Sequence, residues 1–116
     1  MRYTFIIFLL FLCSCSKSLD KSSVDVTLAT KSLEALLSRC EEGNENYSGV
    51  VEYGEPIGSK YSYCNQSGAY IKYGGFFTEE YGLYMPIKGL SVVESEGTDP
   101  SYINIAGAVY SYRIRG

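Results

Sequence analysis

Histidine and tryptophan are both absent from this chain of 116 residues. Histidine is the commonest general base and the commonest metal ligand, so its absence argues against catalytic triads and histidine-based metal sites. Basic residues are not in excess, because ten Lys and Arg face 13 Asp and Glu, for a net charge of −3. A domain that binds nucleic acid through its phosphates normally needs a basic excess. The composition therefore argues against nucleic acid as a partner.

A long apolar run is also missing. The longest run follows Met1 and Arg2 and ends at Leu12. It covers about ten residues, whereas a helix that spans a bilayer needs about 20. One positive charge before a short apolar segment is typical of a cleavable export signal.

At the end of this run the sequence is Leu12-Cys13-Ser14-Cys15. This ending resembles the lipobox of bacterial lipoprotein precursors, in which Leu precedes two small residues and a Cys. The resemblance implies that residues 1–14 are removed as a signal peptide. Cys15 then becomes the N-terminus and carries an acyl chain such as palmitate, which anchors the protein to a membrane. In a Gram-negative cell, Ser16 after the lipidated Cys implies an outer-membrane anchor that faces the periplasm.

Two other interpretations of the leader stay open. A plain secretory peptide, cut after Ser16, would release a soluble secreted protein. A metal site at Cys13 and Cys15 is less favoured, because both lie against an apolar run with no other ligand nearby. No metal or other cofactor is expected anywhere in the chain.

Cys40 and Cys64 remain in the body of the protein. Export to an oxidising compartment predicts a disulfide between them. Such a bond would close a loop of about 25 residues and stabilise the fold by roughly 3–4 kcal/mol in the chain-entropy model. The alternative is a pair of unpaired buried thiols.

The pattern after the leader predicts a short polar tether at 15–22 and a single α+β domain at 23–116. Ser22 and Asp25 match a helix capping box, and Gly43 is suited to end the helix. Between them, apolar residues recur every three or four positions and predict one N-terminal amphipathic helix that packs on a sheet. This stripe consists of Val26, Ala29, Leu33, Leu36 and Cys40.

Beyond Gly43 the chain is rich in Tyr, Val, Ile and Gly, with turn signals every eight to twelve residues or so. This pattern predicts an antiparallel sheet of five or six strands. We place the strands near 47–53, 60–64, 69–73, 81–87, 90–94 and 102–114. Asn65–Gly68 and Lys88–Gly89 are the predicted hairpin turns, and Gly107 is predicted to bend the last strand.

Carboxylates are the only groups that suggest catalysis. Glu79 and Glu80 are adjacent, and paired carboxylates perform acid–base chemistry in glycoside hydrolysis. A small envelope hydrolase that uses Glu79 or Glu80 is therefore the alternative function. It requires a concave pocket around a buried carboxyl group.

Tyrosine is the one compositional excess, with 12 in the chain. A tyrosine-rich sheet with one solvated face explains this excess structurally. Tyrosine also offers broad contact and a hydrogen bond, so the same residues predict a recognition surface for a protein or a glycan. Its candidate members are Tyr61, Tyr63, Tyr110, Tyr112, Arg113 and Arg115. Tyr110 and Tyr112 share one face of the last strand, and Arg113 and Arg115 share the other.

The sequence as a whole predicts a non-enzymatic lipoprotein that binds a macromolecule close to the membrane. Its role would be that of an envelope accessory or of a protective, immunity-type inhibitor. A structural lipoprotein without a separate activity is a further alternative.

Overall fold

The protein is described here by a computed structural model, which describes residues 19, 21–41, 47–95 and 97–116. The chain forms a short 3-10 turn at Lys21–Ser23, one helix and six strands. The elements are α1 Val26–Glu41, β1 Ser48–Glu52, β2 Ser59–Cys64, β3 Gly68–Gly74, β4 Glu80–Pro86, β5 Ser101–Ala106 and β6 Val109–Ile114. The predicted signal peptide, the predicted lipidation site Cys15 and Gly43, which was predicted to end the helix, lie outside the described residues.

The predicted α+β class is confirmed, since one helix packs on a six-stranded antiparallel sheet with the order β1-β2-β3-β4-β6-β5. The first four strands form a meander. The last two strands form a hairpin. Its second strand, β6, pairs with β4, so the first strand, β5, lies at the edge of the sheet. The connection from β4 to β5 therefore has to pass β6.

Helix α1 begins one turn later than the capping box predicted. Asp25 is the capping residue, because its Oδ1 accepts a hydrogen bond from the backbone N–H of Leu28 at 3.1 Å. The segment that contains Ser22 forms the 3-10 turn instead. Val26, predicted on the buried stripe, is 37% exposed at the start of the helix.

The rest of the apolar stripe packs on the sheet as predicted. Ala29, Leu33, Leu36 and Cys40 are buried against one face of the sheet. That face supplies Cys64, Ala69, Ile71, Leu83, Met85 and Val109, and Ile57 comes from the β1–β2 loop. Leu19 and Val24 are partly buried against the same cluster. Leu19 falls inside the segment predicted as a tether.

The predicted Cys40–Cys64 disulfide is present, with the two Cα atoms 6.3 Å apart. It connects the last turn of α1 to the last residue of β2. Both half-cystines are buried in the core. The bond therefore fixes the helix to the sheet at the end where the chain enters β1.

Two of the strand predictions, at 90–94 and at 102–114, are wrong. Residues 90–94 form no strand, and only Ser95 makes an isolated bridge, to Tyr102. Residues 102–114 are two strands, because Gly107 (φ 53°) opens a two-residue turn between Ala106 and Val109. A left-handed conformation is easily adopted only by glycine, which explains why the chain reverses there and does not merely bend.

Candidate functional site

The sheet face opposite the helix is formed largely by tyrosines, and we call it the tyrosine face. Its members alternate with the core residues along β2, β3, β4, β5 and β6, so they point away from α1. They are Tyr61, Tyr63, Tyr70, Tyr84, Tyr102, Tyr110 and Tyr112. Ile114 and Val92 pack against this cluster.

Strand register places four of these tyrosines in one row across the sheet. Tyr63 lies opposite Tyr70, Tyr70 opposite Tyr84, and Tyr84 opposite Tyr110. The rings of Tyr63 and Tyr70 stack with centroids 4.7 Å apart and planes 13° apart. Directly opposed side chains are the main stabilising contacts of a sheet, so this row holds four strands together.

A second row contains Tyr102 and Tyr112, which lie opposite each other on β5 and β6. On the other side of Tyr112 the register places Gly82, which has no side chain. The ring of Tyr112 instead meets Tyr70 edge to face, with centroids 4.9 Å apart. Tyr112 is 2% exposed and lies inside the cluster.

One carboxylate is built into the tyrosine face. Glu80, the first residue of β4, accepts a hydrogen bond from the Tyr112 hydroxyl at 2.6 Å and a second one from the Tyr63 hydroxyl. Both phenols donate to the same oxygen, Oε2. Glu80 therefore joins β2, β4 and β6 through a single atom.

A second hydrogen-bond network lies around the β2–β3 turn. The Tyr70 hydroxyl is 2.9 Å from the Tyr102 hydroxyl and 2.8 Å from the Ser67 hydroxyl. The Tyr84 hydroxyl donates to the Ser67 carbonyl at 2.9 Å. Asn65 Oδ1 accepts from the Ser67 backbone N–H at 2.8 Å, which holds the turn as predicted.

Burial changes the acid–base behaviour of these phenols. It raises the pKa of Tyr112 and of Tyr63 far above the ordinary value, and their hydrogen bonds to Glu80 raise it further. Burial also raises the pKa of Tyr102, with its hydrogen bond to Tyr70 as the next cause. These hydroxyls therefore stay protonated donors and acceptors over the whole neutral pH range.

The β4–β5 connection covers part of the tyrosine face and shields the β5 edge. Val92 packs on the cluster, and Glu94 Oε1 accepts from the Asn104 backbone N–H at 2.5 Å. The Ser95 N–H donates to the Tyr102 carbonyl at 3.2 Å. The opposite side of the face stays open: over β1 and β2, Val50 is 71% and Tyr61 46% exposed.

The six predicted surface residues are thus split between the two faces of the sheet. Tyr61, Tyr63, Tyr110 and Tyr112 share the tyrosine face. Arg113 lies on the helix side, with its guanidinium 3.9 Å from the Glu79 carboxylate. Arg115 follows the last strand, and its backbone N–H donates to Asp99 Oδ1 at 2.9 Å.

The two carboxylates of the alternative hydrolase are not brought together. Glu79 is exposed in the β3–β4 turn and faces Arg113, whereas Glu80 lies on the tyrosine face between two phenols. Within the described part of the chain, neither residue is paired with a second carboxylate. Among the described residues no group of three or more His, Cys, Asp or Glu side chains is arranged to hold a metal.

The predicted surface residues did not include three members of the tyrosine face, namely Tyr70, Tyr84 and Tyr102. The signal for Tyr70 was present, because the four-residue turn at Asn65–Gly68 sets Tyr63 opposite Tyr70. The signal for Tyr102 was hidden, because it depends on the hairpin at Gly107, which was predicted as a bend.

No protein-family model, curated protein or solved structure matches this chain. Within residues 19, 21–41, 47–95 and 97–116, α1 is too short and too polar to cross a membrane, and it is the only α-helix there.

Proposed function

We propose that the protein is an outer-membrane lipoprotein, anchored through Cys15, which binds another macromolecule with its tyrosine face and catalyses no reaction. The observation that supports this proposal is the sheet face left uncovered by the helix. Its open part, over β1 and β2, presents Val50, Tyr61 and Tyr63 to solvent. An apolar, aromatic patch of this kind is typical of a contact surface.

The construction of this patch suits recognition. The exposed Tyr61 ring leans on Tyr63, with centroids 6.2 Å apart, and Tyr63 stacks on the buried Tyr70. The Glu80 hydrogen bond holds the Tyr63 hydroxyl in place. A ring that is already ordered loses little conformational entropy when a partner binds it.

The partner class follows from the same chemistry. Tyrosine rings with adjoining hydroxyls can pack on an apolar protein patch or against the flat face of a sugar, so we propose a protein or an envelope glycan. The role would be that of an envelope accessory or an immunity-type inhibitor. Both roles need a binding surface and no catalytic group.

The anchor is tested by fatty-acid labelling in a bacterial host. We expect the wild-type chain to incorporate labelled palmitate and to fractionate with the outer membrane. A Cys15→Ala variant should do neither. Palmitate incorporation by the Cys15→Ala variant, or none by the wild type, would overturn the anchor.

Recognition is tested by affinity capture with the tagged, full-length protein. Solubilised envelope proteins and purified peptidoglycan are the two probes. The variant that combines Tyr61→Ser and Tyr110→Ser should lose the bound partner. A matched control combines Lys31→Ser and Glu34→Ser on the exposed side of α1 and should retain it. Equal capture by both variants would show that the tyrosine face is not the contact surface.

A further inference from the structure

The β3–β4 turn carries two adjacent phenylalanines that the fold does not bury. Phe76 is 72% and Phe77 is 92% exposed, so Phe77 is the most exposed of the large apolar side chains in the described part of the chain. Their rings meet edge to face, with centroids 4.3 Å apart. They contact each other and contribute little to either cluster of the core. We call this pair the phenylalanine tip.

The backbone holds the phenylalanine tip in a strained conformation. Phe77 has a φ of 57°, and no other described residue except glycine has a positive φ. Bulky side chains rarely adopt this left-handed conformation, and strain of this kind concentrates at functional sites. The turn is closed by a hydrogen bond from the Glu79 N–H to the Phe76 carbonyl at 3.0 Å. Exposure and strain both oppose folding, so the stability of the fold does not explain the pair.

The proposed anchor identifies what the phenylalanine tip would meet, and the inference therefore rests on the proposed function. Leu19 packs against the core, and it lies four positions after Cys15 in the sequence. A segment of this length spans at most about 14 Å when fully extended. The anchor would therefore hold the domain close to the bilayer surface.

The charges beside the tip suit this position. Arg113 lies at the base of the turn, with its guanidinium 3.9 Å from Glu79. Arg115 lies two residues further along, at the same end of the sheet. Arginines beside exposed aromatic rings are common where a protein meets phospholipid headgroups, because the rings enter the acyl region and the guanidinium stays in the headgroups.

We propose that the phenylalanine tip inserts into the bilayer to which Cys15 is anchored, as a second contact that sets the orientation of the domain. The lipid chain alone leaves the domain free to turn on its tether. A second contact fixes which way the tyrosine face points. The phenylalanine tip therefore contacts a phospholipid surface and not a protein.

The absence of tryptophan makes a direct test available. A Phe77→Trp variant carries a single indole at the tip, and a Val50→Trp variant carries one at a comparably exposed position on β1. Both mature, lipidated proteins are reconstituted into phosphatidylethanolamine–phosphatidylglycerol vesicles with brominated acyl chains. We expect blue-shifted, strongly quenched emission from the indole at 77 and water-like emission from the indole at 50.

Affinity gives a second readout. Unanchored protein, processed but lacking the acyl chain, is mixed with the same vesicles. A double variant, Phe76→Ser with Phe77→Ser, should bind the vesicles at least about tenfold more weakly. It lacks two large apolar side chains that the bilayer would otherwise bury. Both rings are exposed in the free protein, so the variant keeps its fold, which an unchanged unfolding midpoint verifies.

Failure of the tip and failure of the anchor can be distinguished. If Cys15 takes up palmitate but the indole at 77 stays as accessible to an aqueous quencher as the indole at 50, the tip proposal is wrong and the anchor stands. If Cys15 takes up no palmitate, quenching of the indole at 77 on added vesicles still supports insertion. Shielding of the indole at 77 by a protein partner, without lipid, would overturn the proposal.

Discussion

Glu80 is the residue that connects most of the tyrosine face. Its Oε2 atom accepts hydrogen bonds from Tyr63 and Tyr112, which belong to strands on either side of the sheet centre. Hydrogen bonds to a charged group contribute about 1.5–3 kcal/mol each, more than those between neutral groups. The cluster is therefore stabilised by specific hydrogen bonds as well as by ring packing.

A Tyr112→Phe variant should lower the free energy of unfolding by about 1–2 kcal/mol, because the buried ring stays while Glu80 loses one donor. The control is Tyr110→Phe on the same face, whose hydroxyl makes none of the side-chain hydrogen bonds found among the described residues. Urea unfolding of both variants measures the difference. Equal stability of the two would mean that Glu80 does not depend on the Tyr112 hydroxyl.

Phe77 illustrates strain at a single residue. The variants Phe77→Gly and Phe76→Gly remove the same ring contact and add the same glycine, but only Phe77 has a positive φ. Glycine adopts that conformation freely, so Phe77→Gly should be the more stable of the two by about 1–2 kcal/mol. Thermal or urea unfolding compares them, and the opposite order of stability would contradict the backbone conformation described here.

Among the elements, α1 depends most on one covalent bond. The disulfide joins Cys40 at its end to Cys64 across a sequence separation of 24. A variant with Cys40→Ala and Cys64→Ala should lower the free energy of unfolding by about 3–4 kcal/mol. Wild-type protein under reducing conditions should lose a similar amount. Two reactive body thiols in denatured, unreduced wild-type protein would contradict the bond.

The elements also show where sequence patterns are sufficient and where they are not. The helix stripe and the turn at Asn65–Gly68 were predictable, because each depends on residues close in sequence. The segment 90–94 was predicted as a strand beside β4, but β6 occupies that place. Its apolar residues serve a different purpose, since Val92 covers the tyrosine face. Alternation of apolar residues does not encode which strand is the neighbour.

The candidate site was partly predictable for the same reason. The share of tyrosine in the sequence indicated a candidate surface, and Tyr61 and Tyr63 both lie on the tyrosine face. The burial of Tyr112 was not predictable, because it depends on Gly82 and Tyr70, which belong to other strands. The separation of Arg113 from the tyrosines follows from alternation along β6 and was anticipated.

For the whole molecule, the sheet divides two unlike halves: an apolar core under the helix and a layer of hydrogen-bonded phenols on the other side. The phenols give the fold a characteristic dependence on pH. Tyr63, Tyr102 and Tyr112 have a pKa raised above the ordinary value of about 10. A group with a raised pKa contributes stability below its unfolded pKa and loses it as the pH rises.

We therefore expect constant tyrosine-linked stability below about pH 10 and a steep loss above it, because the unfolded chain ionises first. Tyrosinate absorbance and near-ultraviolet circular dichroism, followed through an alkaline titration, measure this. A fraction of the phenols should ionise only as the dichroism disappears. Ionisation of all phenols near their ordinary pKa, with the fold intact, would contradict the buried network.

The most direct test of the central claim is site-specific photo-cross-linking in living cells. A photoreactive phenylalanine analogue replaces Tyr61 on the open part of the tyrosine face, or Lys31 on the exposed side of α1. We predict a discrete adduct with one envelope protein or glycan from position 61 and none from position 31. An adduct from position 31 with none from position 61 would show that the tyrosine face is not where this protein meets its partner.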